Sequence, residues 1–308
     1  MWTRWHTMLE VTPWWGALLL PVVLGLFALG AASFDSVLTT GRGALAEPLR
    51  AAAGLLVQQR RRTLAADSLL WRGGAIALLV AGVMAALVIP LGPWVVSDFS
   101  VGVVWFNAME VVAWAAVWLV GWGANSAFGL IGGYRFIAQG LAYELPHMFA
   151  LITAALGAGS LRIGDIVAAQ QNLWFVVWMP VAFAVYLMSV LGMAFFRPFD
   201  HAVSGDAAGG VLAELSGVDR LVFVAGRWLL LTSSAAMAVP LFLGGGQGPL
   251  LPAWLWSALK TAAVLGFLVW ASRCAPTVRM ERFHEIAWIV LIPATLVQAL
   301  VVSVVVIW

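Results

Sequence analysis

The sequence predicts an all-α integral membrane protein with about eight transmembrane helices. Of its 308 residues, 63% are hydrophobic and only 10% are charged, whereas a soluble domain has about 25% charged residues. Its apolar runs also reach the roughly 20 residues that a helix needs to cross the hydrocarbon of a bilayer. Because so few charges cannot solvate the large wet surface of a soluble chain of this length, we expect a single membrane domain over residues 1–308.

Eight apolar runs are long enough to be spans, and none of them contains more than one charged residue. They cover residues 15–34, 74–94, 101–122, 141–159, 173–196, 221–243, 253–272 and 285–307. The short segments 92–100, 160–172 and 244–252 are rich in glycine, proline and polar residues, as turns between spans are.

Arginine is unevenly distributed between the two ends of these spans. If the N-terminus is outside, the inner segments hold twelve arginines, Arg42 among them, and the outer segments hold only Arg4 and Arg162. Cytoplasmic loops of membrane proteins carry an excess of basic residues. The asymmetry therefore predicts a multi-pass protein of the cell inner (cytoplasmic) membrane with both termini outside.

The first inner segment contains a helix that is too polar to span. Within residues 43–63, Leu45, Leu49 and Leu56 recur at helical spacing, and a run of three arginines follows at 60–62. An apolar stripe with a basic end is typical of an amphipathic helix that lies on anionic headgroups. We therefore predict an interfacial helix over 43–63 that contacts lipid.

Cysteine and histidine usage is sparse. The single cysteine, Cys274, excludes an internal disulfide framework and a Cys-based metal site within this chain. None of the four histidines has metal-ligand spacing, and His147, next to Pro146, is interpreted as a packed or interfacial histidine at a helix start. Basic residues are not interleaved with aromatics. We expect no metal, no cofactor bound by this chain and no nucleic-acid partner.

Four residues with charged side chains lie inside the predicted spans beyond their first residue, and a charge costs at least ~2.5–3.5 kcal/mol at a helix centre. They are Glu110, Glu144, Arg227 and Lys260. Two interpretations stay open. Either these are satisfied packing pairs, with Arg227 against Glu110 or a neighbouring acid, or they form a buried polar track for protons or another ion.

One long stretch carries a family resemblance. Residues 121–165 read GWGANSAFGLIGGYRFIAQGLAYELPHMFALITAALGAGSLRIGD, and PFD at 198–200, ELSG at 214–217 and the lysine at 260 follow in order. Together these motifs resemble the membrane-embedded H subunit of NADH–quinone oxidoreductase (respiratory complex I). The resemblance extends over roughly residues 100–300.

The resemblance implies a subunit, without a redox centre of its own, of a proton-translocating oxidoreductase. In that family the subunit docks soluble iron–sulfur subunits on the inner face, forms much of the chamber for the quinone substrate, and leads towards antiporter-like membrane subunits. The implied chamber or coupling residues are Arg135, Gln139, Tyr143, Glu144, Asp200, Asp206 and Glu214. The implied docking face comprises Arg197, Arg279 and Arg282, and the buried charge track comprises Glu110, Arg227 and Lys260.

The chain also departs from the family pattern. Ala51 and Gly54 stand where the family has an aspartate and a lysine on the interfacial helix, and Arg227 stands where it has a glutamate in the sixth span. Arginine stays protonated, so a proton cannot pass Arg227 by titration. These departures keep an alternative open, the equivalent subunit of a membrane-bound hydrogenase or another complex-I-like oxidoreductase. A stand-alone transporter and a structural membrane anchor without its own proton path are further alternatives.

Overall fold

A computed structural model describes residues 9–41 and 44–307. Arg4, Arg42 and position 43, which entered the predictions of orientation and of the interfacial helix, lie outside the described residues. In chain order the helices are α1 (Trp14–Thr40), α2 (Glu47–Val57), α3 (Ser68–Ala85), α4 (Gly102–Gly123), α5 (Ala127–Ala158), α6 (Ile163–Ala169), α7 (Phe175–Trp178), α8 (Pro180–Met193), α9 (Gly217–Phe242), α10 (Ala253–Cys274), α11 (Met280–Ile286) and α12 (Ile292–Ile307). The prediction of an all-α integral membrane protein is confirmed.

Seven helices of the described chain are long and apolar enough to cross a membrane. The fifth predicted span, 173–196, consists instead of two helices, α7 and α8, which meet at Met179. Met179 has φ −120° and ψ 46° and precedes Pro180. Because the proline ring clashes with a preceding residue in the α region, the helix is interrupted there. The interruption divides an apolar run that hydropathy alone presents as one span.

Helix α5 begins well before the predicted start of the fourth span at 141. It runs from Ala127 to Ala158 as one helix that contains Pro146. The early part of α5 carries polar side chains that hydropathy assigns to a loop, but these side chains have partners in the fold. His147 and Glu144 consequently lie in the middle of a long helix and not at its start, which corrects the prediction made from the sequence.

The predicted interfacial helix forms over a shorter range. Helix α2 covers only Glu47–Val57 of the predicted 43–63 and has no buried residue. The arginine run at 60–62 is non-helical. Leu49 and Leu56 on α2 are exposed, so α2 presents apolar side chains outward beside the bundle, as a helix lying on a bilayer does.

The bundle is built around α3, which packs between α4 and α9. Gly226 on α9 permits this contact, since a Cβ at that position would lie 2.7 Å from the backbone nitrogen of Leu79. Small residues let membrane helices approach closely in this way. At one end of the bundle, Glu10–Val11 (β1) pairs in parallel with Trp94–Val95 (β2), so the start of α1 is tied to the connection between α3 and α4.

The last span contains a local change of helix type. Residues Ala287–Leu291 between α11 and α12 form a π-helix, and Phe283 in the middle of α11 packs on Phe199 with ring centroids 4.2 Å apart. The loop between α8 and α9 contains three 3₁₀ turns, at His201–Val203, Gly205–Ala207 and Gly210–Leu212. This loop, here called the inner loop (residues 194–216), packs against α5 and carries part of the candidate site.

Candidate functional site

The candidate site is a row of polar side chains along one face of α5. Arg135, Gln139, Tyr143 and His147 recur at every fourth position of that helix, and residues four apart on a helix lie one above the other. The row rises about 18 Å at 1.5 Å per residue. Each member has a partner on a different part of the fold, so the row connects the inner loop with the interior of the bundle.

The first member, Arg135, binds the inner loop. Its two terminal nitrogens each donate to one carboxylate oxygen of Asp206, both at 2.8 Å. This hydrogen bonding by Arg135 holds the pKa of Asp206 well below its usual range. The loop comes this close because Gly132 lacks a Cβ, which would stand 2.6 Å from the carbonyl oxygen of Ala202.

The second member, Gln139, joins three segments. It is fully buried, its Nε2 donates to the carbonyl oxygen of Gly192 at 2.5 Å, and its Oε1 lies 2.8 Å from Nδ1 of His201. Nε2 of His201 in turn lies 2.6 Å from the carbonyl oxygen of Val278. Gln139 and His201 therefore fix the inner loop between α5 and the segment that precedes α11.

The third member, Tyr143, continues the row into the bundle. Its hydroxyl accepts a hydrogen bond from Nε1 of Trp114 at 2.7 Å. The adjacent Glu144 accepts from Nδ2 of Asn107 at 3.2 Å. Both partners belong to α4, so α4 and α5 bring a phenol, a carboxylate and an amide together at this depth.

The fourth member, His147, lies against Glu110 of α4. Their Nε2 and Oε2 atoms are 2.8 Å apart, and both side chains are fully buried. The two groups are within ion-pair distance, but they are not aligned as a hydrogen bond, and Nδ1 of His147 and Oε1 of Glu110 also have no partner among the described residues. The pair is thus buried while much of its hydrogen-bonding capacity stays unused.

The surroundings of this pair are aromatic. The ring of His147 stacks on Tyr186 of α8 with centroids 5.1 Å apart, and the hydroxyl of Tyr186 donates to the carbonyl oxygen of Ser234 on α9 at 2.7 Å. Oε2 of Glu144 and Oδ1 of Asn107 are likewise buried without a partner in the described chain. Unsatisfied polar atoms therefore concentrate in one region between α4, α5 and α8.

Arg227 does not pair with Glu110, which corrects that expectation. Its guanidinium donates to the carbonyl oxygens of Ala194 and Phe195 at 3.1 and 2.6 Å and lies over the rings of Phe195 and Phe196. The physical reason is the end of α8: the last carbonyls of a helix have no intrahelical donor, and Arg227 supplies one. Glu110 has His147 as its neighbour instead.

Lys260 also binds carbonyl oxygens. Its Nζ donates to those of Leu243, Gly245 and Gln247 at 2.6, 3.0 and 2.7 Å and lies 4.0 Å from the ring centroid of Trp174. No ion pair of Lys260 occurs in the described parts of the chain. Lys260 fixes the loop that follows α9, at the opposite end of the bundle from Arg135.

The remaining residues implied by the resemblance lie at the end of the bundle that carries residues 194–216. Asp200 is 3.5 Å from Arg197, and Glu214 accepts a hydrogen bond from Ser126, just before α5, at 2.8 Å. The side chain of Arg197 is half exposed, and that of Arg282 is exposed and pairs with Glu285 at 2.7 Å. Arg279 precedes α11 on the same side. Two acidic residues of the inner loop, Asp206 and Glu214, thus bind α5 or the residue before it, and Asp200 pairs with Arg197.

Sequence reasoning missed four members of this arrangement: Asn107, Trp114, His147 and His201. The spacing of four between Arg135, Gln139, Tyr143 and His147 was a signal that could have found His147. The other three contribute through tertiary contacts, and no local pattern marks them.

Comparisons with known proteins agree on one family. The family model described as NADH dehydrogenase matches residues 37–303. The NADH-quinone oxidoreductase H subunit numbered 2 of Geobacter sulfurreducens is 34% identical over 268 residues, covering 83% of this chain and 82% of the relative. The corresponding H subunit numbered 2 of Cereibacter sphaeroides is 38% identical over 212 residues, covering 68% of this chain and 66% of the relative. The H subunit of Geobacillus kaustophilus is 31% identical over 326 aligned positions, covering 97% of this chain and 98% of the relative.

Proposed function

Because the chain belongs to the NADH dehydrogenase family, whose members include the H subunit of NADH-quinone oxidoreductase, we propose that it forms part of a quinone chamber and links quinone reduction to proton movement. It is a multi-pass membrane subunit of such a complex. The observation that carries the proposal is the continuous polar row on α5, which leads from the inner loop to a buried Glu110–His147 pair.

The chamber lies at the inner end of that row. Arg135, Gln139 and Asp206 present a cation, an amide and an anion there, and Asp200 and Glu214 add carboxylates from the inner loop. A quinone headgroup has two carbonyl oxygens, which accept hydrogen bonds from donors such as the Arg135 guanidinium. The quinone is a substrate here, and redox centres belong to partner subunits.

The coupling path continues through Tyr143, Glu144, Glu110 and His147. A carboxylate and an imidazole are groups that exchange protons in membrane transport, and Glu110 and His147 are both fully buried within the bundle. Their unpartnered oxygens and nitrogens are sites that a bridging water binds. Such a path needs groups that change partners, and these atoms are free to do so.

The partners are other subunits of the complex. Arg197, Arg279 and Arg282 at the inner end suit the docking of soluble iron–sulfur subunits, and antiporter-like membrane subunits continue the path beyond Glu110. We also assign Arg227 and Lys260 to the buried charge track, as fixed cations that bind carbonyl oxygens. The arginine asymmetry supports placement in the inner membrane with both termini outside.

The test uses the complex purified from its host. In Glu110→Gln and in Glu144→Gln, we expect quinone reduction to continue and proton translocation per electron pair to fall severalfold, because a neutral amide cannot carry the proton. Both rates are measured in proteoliposomes with the quinone-reductase assay and a pH-sensitive dye. The exposed Glu281→Gln is the matched control. If both variants translocated as many protons per electron pair as the wild type, the proposed path would be wrong.

Identifying the subunits that purify with the chain distinguishes this function from that of a membrane-bound hydrogenase. A flavin-containing, NADH-oxidising partner is expected. A nickel-binding large subunit would instead identify a membrane-bound hydrogenase and would exclude NADH as the electron donor.

A further inference from the structure

A basic cleft opens at the inner end of the bundle, between α3 and α9 and away from the polar row on α5. It has a volume of about 240 Å³ and is lined by Arg60 and Arg72, by Asp219, and by an apolar wall that includes Ala75, Ile76 and Val222. None of these residues takes part in the site described above.

Arg60 is held at this cleft by its neighbours. The backbone nitrogen of Gly217 donates to Oε1 of Gln58 at 3.0 Å, and the backbone nitrogen of Arg61 donates to the hydroxyl of Ser216 at 2.7 Å. These bonds attach the segment after α2 to the first turn of α9. Arg60 therefore lies beside the N-terminus of a long helix, with its Cγ 3.4 Å from where a Cβ of Gly217 would be, and the dipole of that helix favours an anion at this end.

The charge of the cleft is not balanced within the described chain. Arg72 is 3.7 Å from Asp219, while Arg60 has no acidic partner among residues 9–41 and 44–307. One carboxylate thus faces two guanidiniums, and the cleft keeps a net positive charge. Two guanidiniums that converge on one space are suited to a phosphate, which they bind through charge-assisted hydrogen bonds.

The apolar wall continues from these arginines towards the bilayer. Ile76 follows Arg72 by one turn of α3 and is 54% exposed, and Val222 follows Asp219 on α9 and is partly buried. The cleft therefore has basic residues at its opening on the membrane surface and apolar residues on the side that faces the bilayer. Basic pockets between transmembrane helices on the cytoplasmic side have the chemistry to hold lipid headgroups.

We propose that this cleft binds one anionic phospholipid of the inner leaflet, with its phosphate between Arg60 and Arg72 and an acyl chain along Ile76 and Val222. The lipid neutralises the excess charge and covers the exposed apolar wall. It also joins the segment after α2 to both α3 and α9. The proposal does not depend on the function of the polar row.

The test maps a photoactivatable lipid on the purified complex. The complex is reconstituted in phosphatidylcholine vesicles doped with a phosphatidylglycerol that carries a diazirine on its acyl chain, and cross-linked peptides are identified by mass spectrometry. We expect labelling of the segments around Ile76 and Val222. Arg60→Gln and Arg72→Gln should each lower that labelling about fivefold, as expected for the loss of one basic residue at an anionic surface.

Three controls make the result decisive. Arg62→Gln removes the same charge two residues away from Arg60 and should leave the labelling unchanged, and Arg72→Lys should retain most of it. A phosphatidylcholine with the same diazirine should label these segments weakly. Equal loss in Arg62→Gln would show diffuse surface attraction and overturn the site, as would undiminished labelling in Arg60→Gln and Arg72→Gln. Gel filtration confirms that each variant complex is assembled.

Discussion

The middle of α4 and α5 and the outer end of α10 both bury an ionisable side chain, but they satisfy it differently. Glu110 and His147 lie 2.8 Å apart with several of their polar atoms unpartnered in the described structure. Lys260 directs its ammonium group to three carbonyl oxygens, and Arg227 likewise binds two. A cation bound to backbone carbonyl oxygens stabilises one arrangement of the backbone, whereas a buried acid with unused acceptors can change its partner. The comparison therefore separates buried charges that lock the fold from those that can carry protons.

The largest effect is expected at Lys260. Lys260→Met keeps the length of the side chain but leaves the carbonyl oxygens of Leu243, Gly245 and Gln247 without their donor. Each unsatisfied buried group costs about 1–3 kcal/mol. Because water near the membrane surface can satisfy some of these oxygens, we expect the free energy of unfolding to fall by about 2–4 kcal/mol. Thermal unfolding of the purified complex, followed by intrinsic fluorescence, measures it as a lower Tm.

The control for Lys260 is Leu259→Met, which introduces the same residue at an adjacent, exposed position of α10. Leu259 precedes Lys260 in the chain, and the Tm of the Leu259→Met complex should match that of the wild type. If Lys260→Met also matched the wild type, the three carbonyl contacts would contribute nothing to stability, and Lys260 would belong with the exchangeable groups.

A smaller loss is expected at Arg227. Arg227→Met leaves the carbonyl oxygens of Ala194 and Phe195 without a donor but retains apolar contact with the two phenylalanine rings. We therefore expect the free energy of unfolding to fall by about 1–3 kcal/mol. The yield of assembled complex and its Tm measure the loss. Arg220→Met, on the same helix and exposed, is the matched control and should be neutral. A normally assembled, fully stable Arg227→Met complex would contradict a locking role.

The membrane fold was predictable because it depends on composition and on the length of apolar runs. Prediction from the sequence failed where a tertiary contact reverses a local preference. The start of α5 was missed because Arg135 and Gln139 lower hydropathy, yet Asp206 and His201 satisfy them. The break at Met179 was missed because Pro180 lies in an otherwise apolar run.

The candidate site divides in the same way. Arg135, Gln139 and Glu144 were accessible through a motif, since they lie on one local stretch of chain. No motif identifies the partner of Glu110, because His147 comes close to Glu110 only when α4 and α5 pack together. Considered alone, Arg227 resembled a natural counter-ion for an acid, and only the position of the end of α8 shows that carbonyl oxygens are its acceptors.

The smallest change in stability is expected at Glu110. This variant best distinguishes buried charges that stabilise the fold from those that can carry protons. Glu110→Gln preserves the shape of the side chain and replaces a buried carboxylate by an uncharged amide, which costs less to bury. We therefore expect the free energy of unfolding to change by less than about 1 kcal/mol, or to rise. The Tm of the same variant complex used in the proton-translocation assay provides the measurement. A large drop in Tm would mean that the Glu110–His147 pair is a structural lock like Lys260, and the loss of coupling in that variant would then reflect misfolding. A stable but uncoupled complex would instead separate the two roles of buried charge within one bundle.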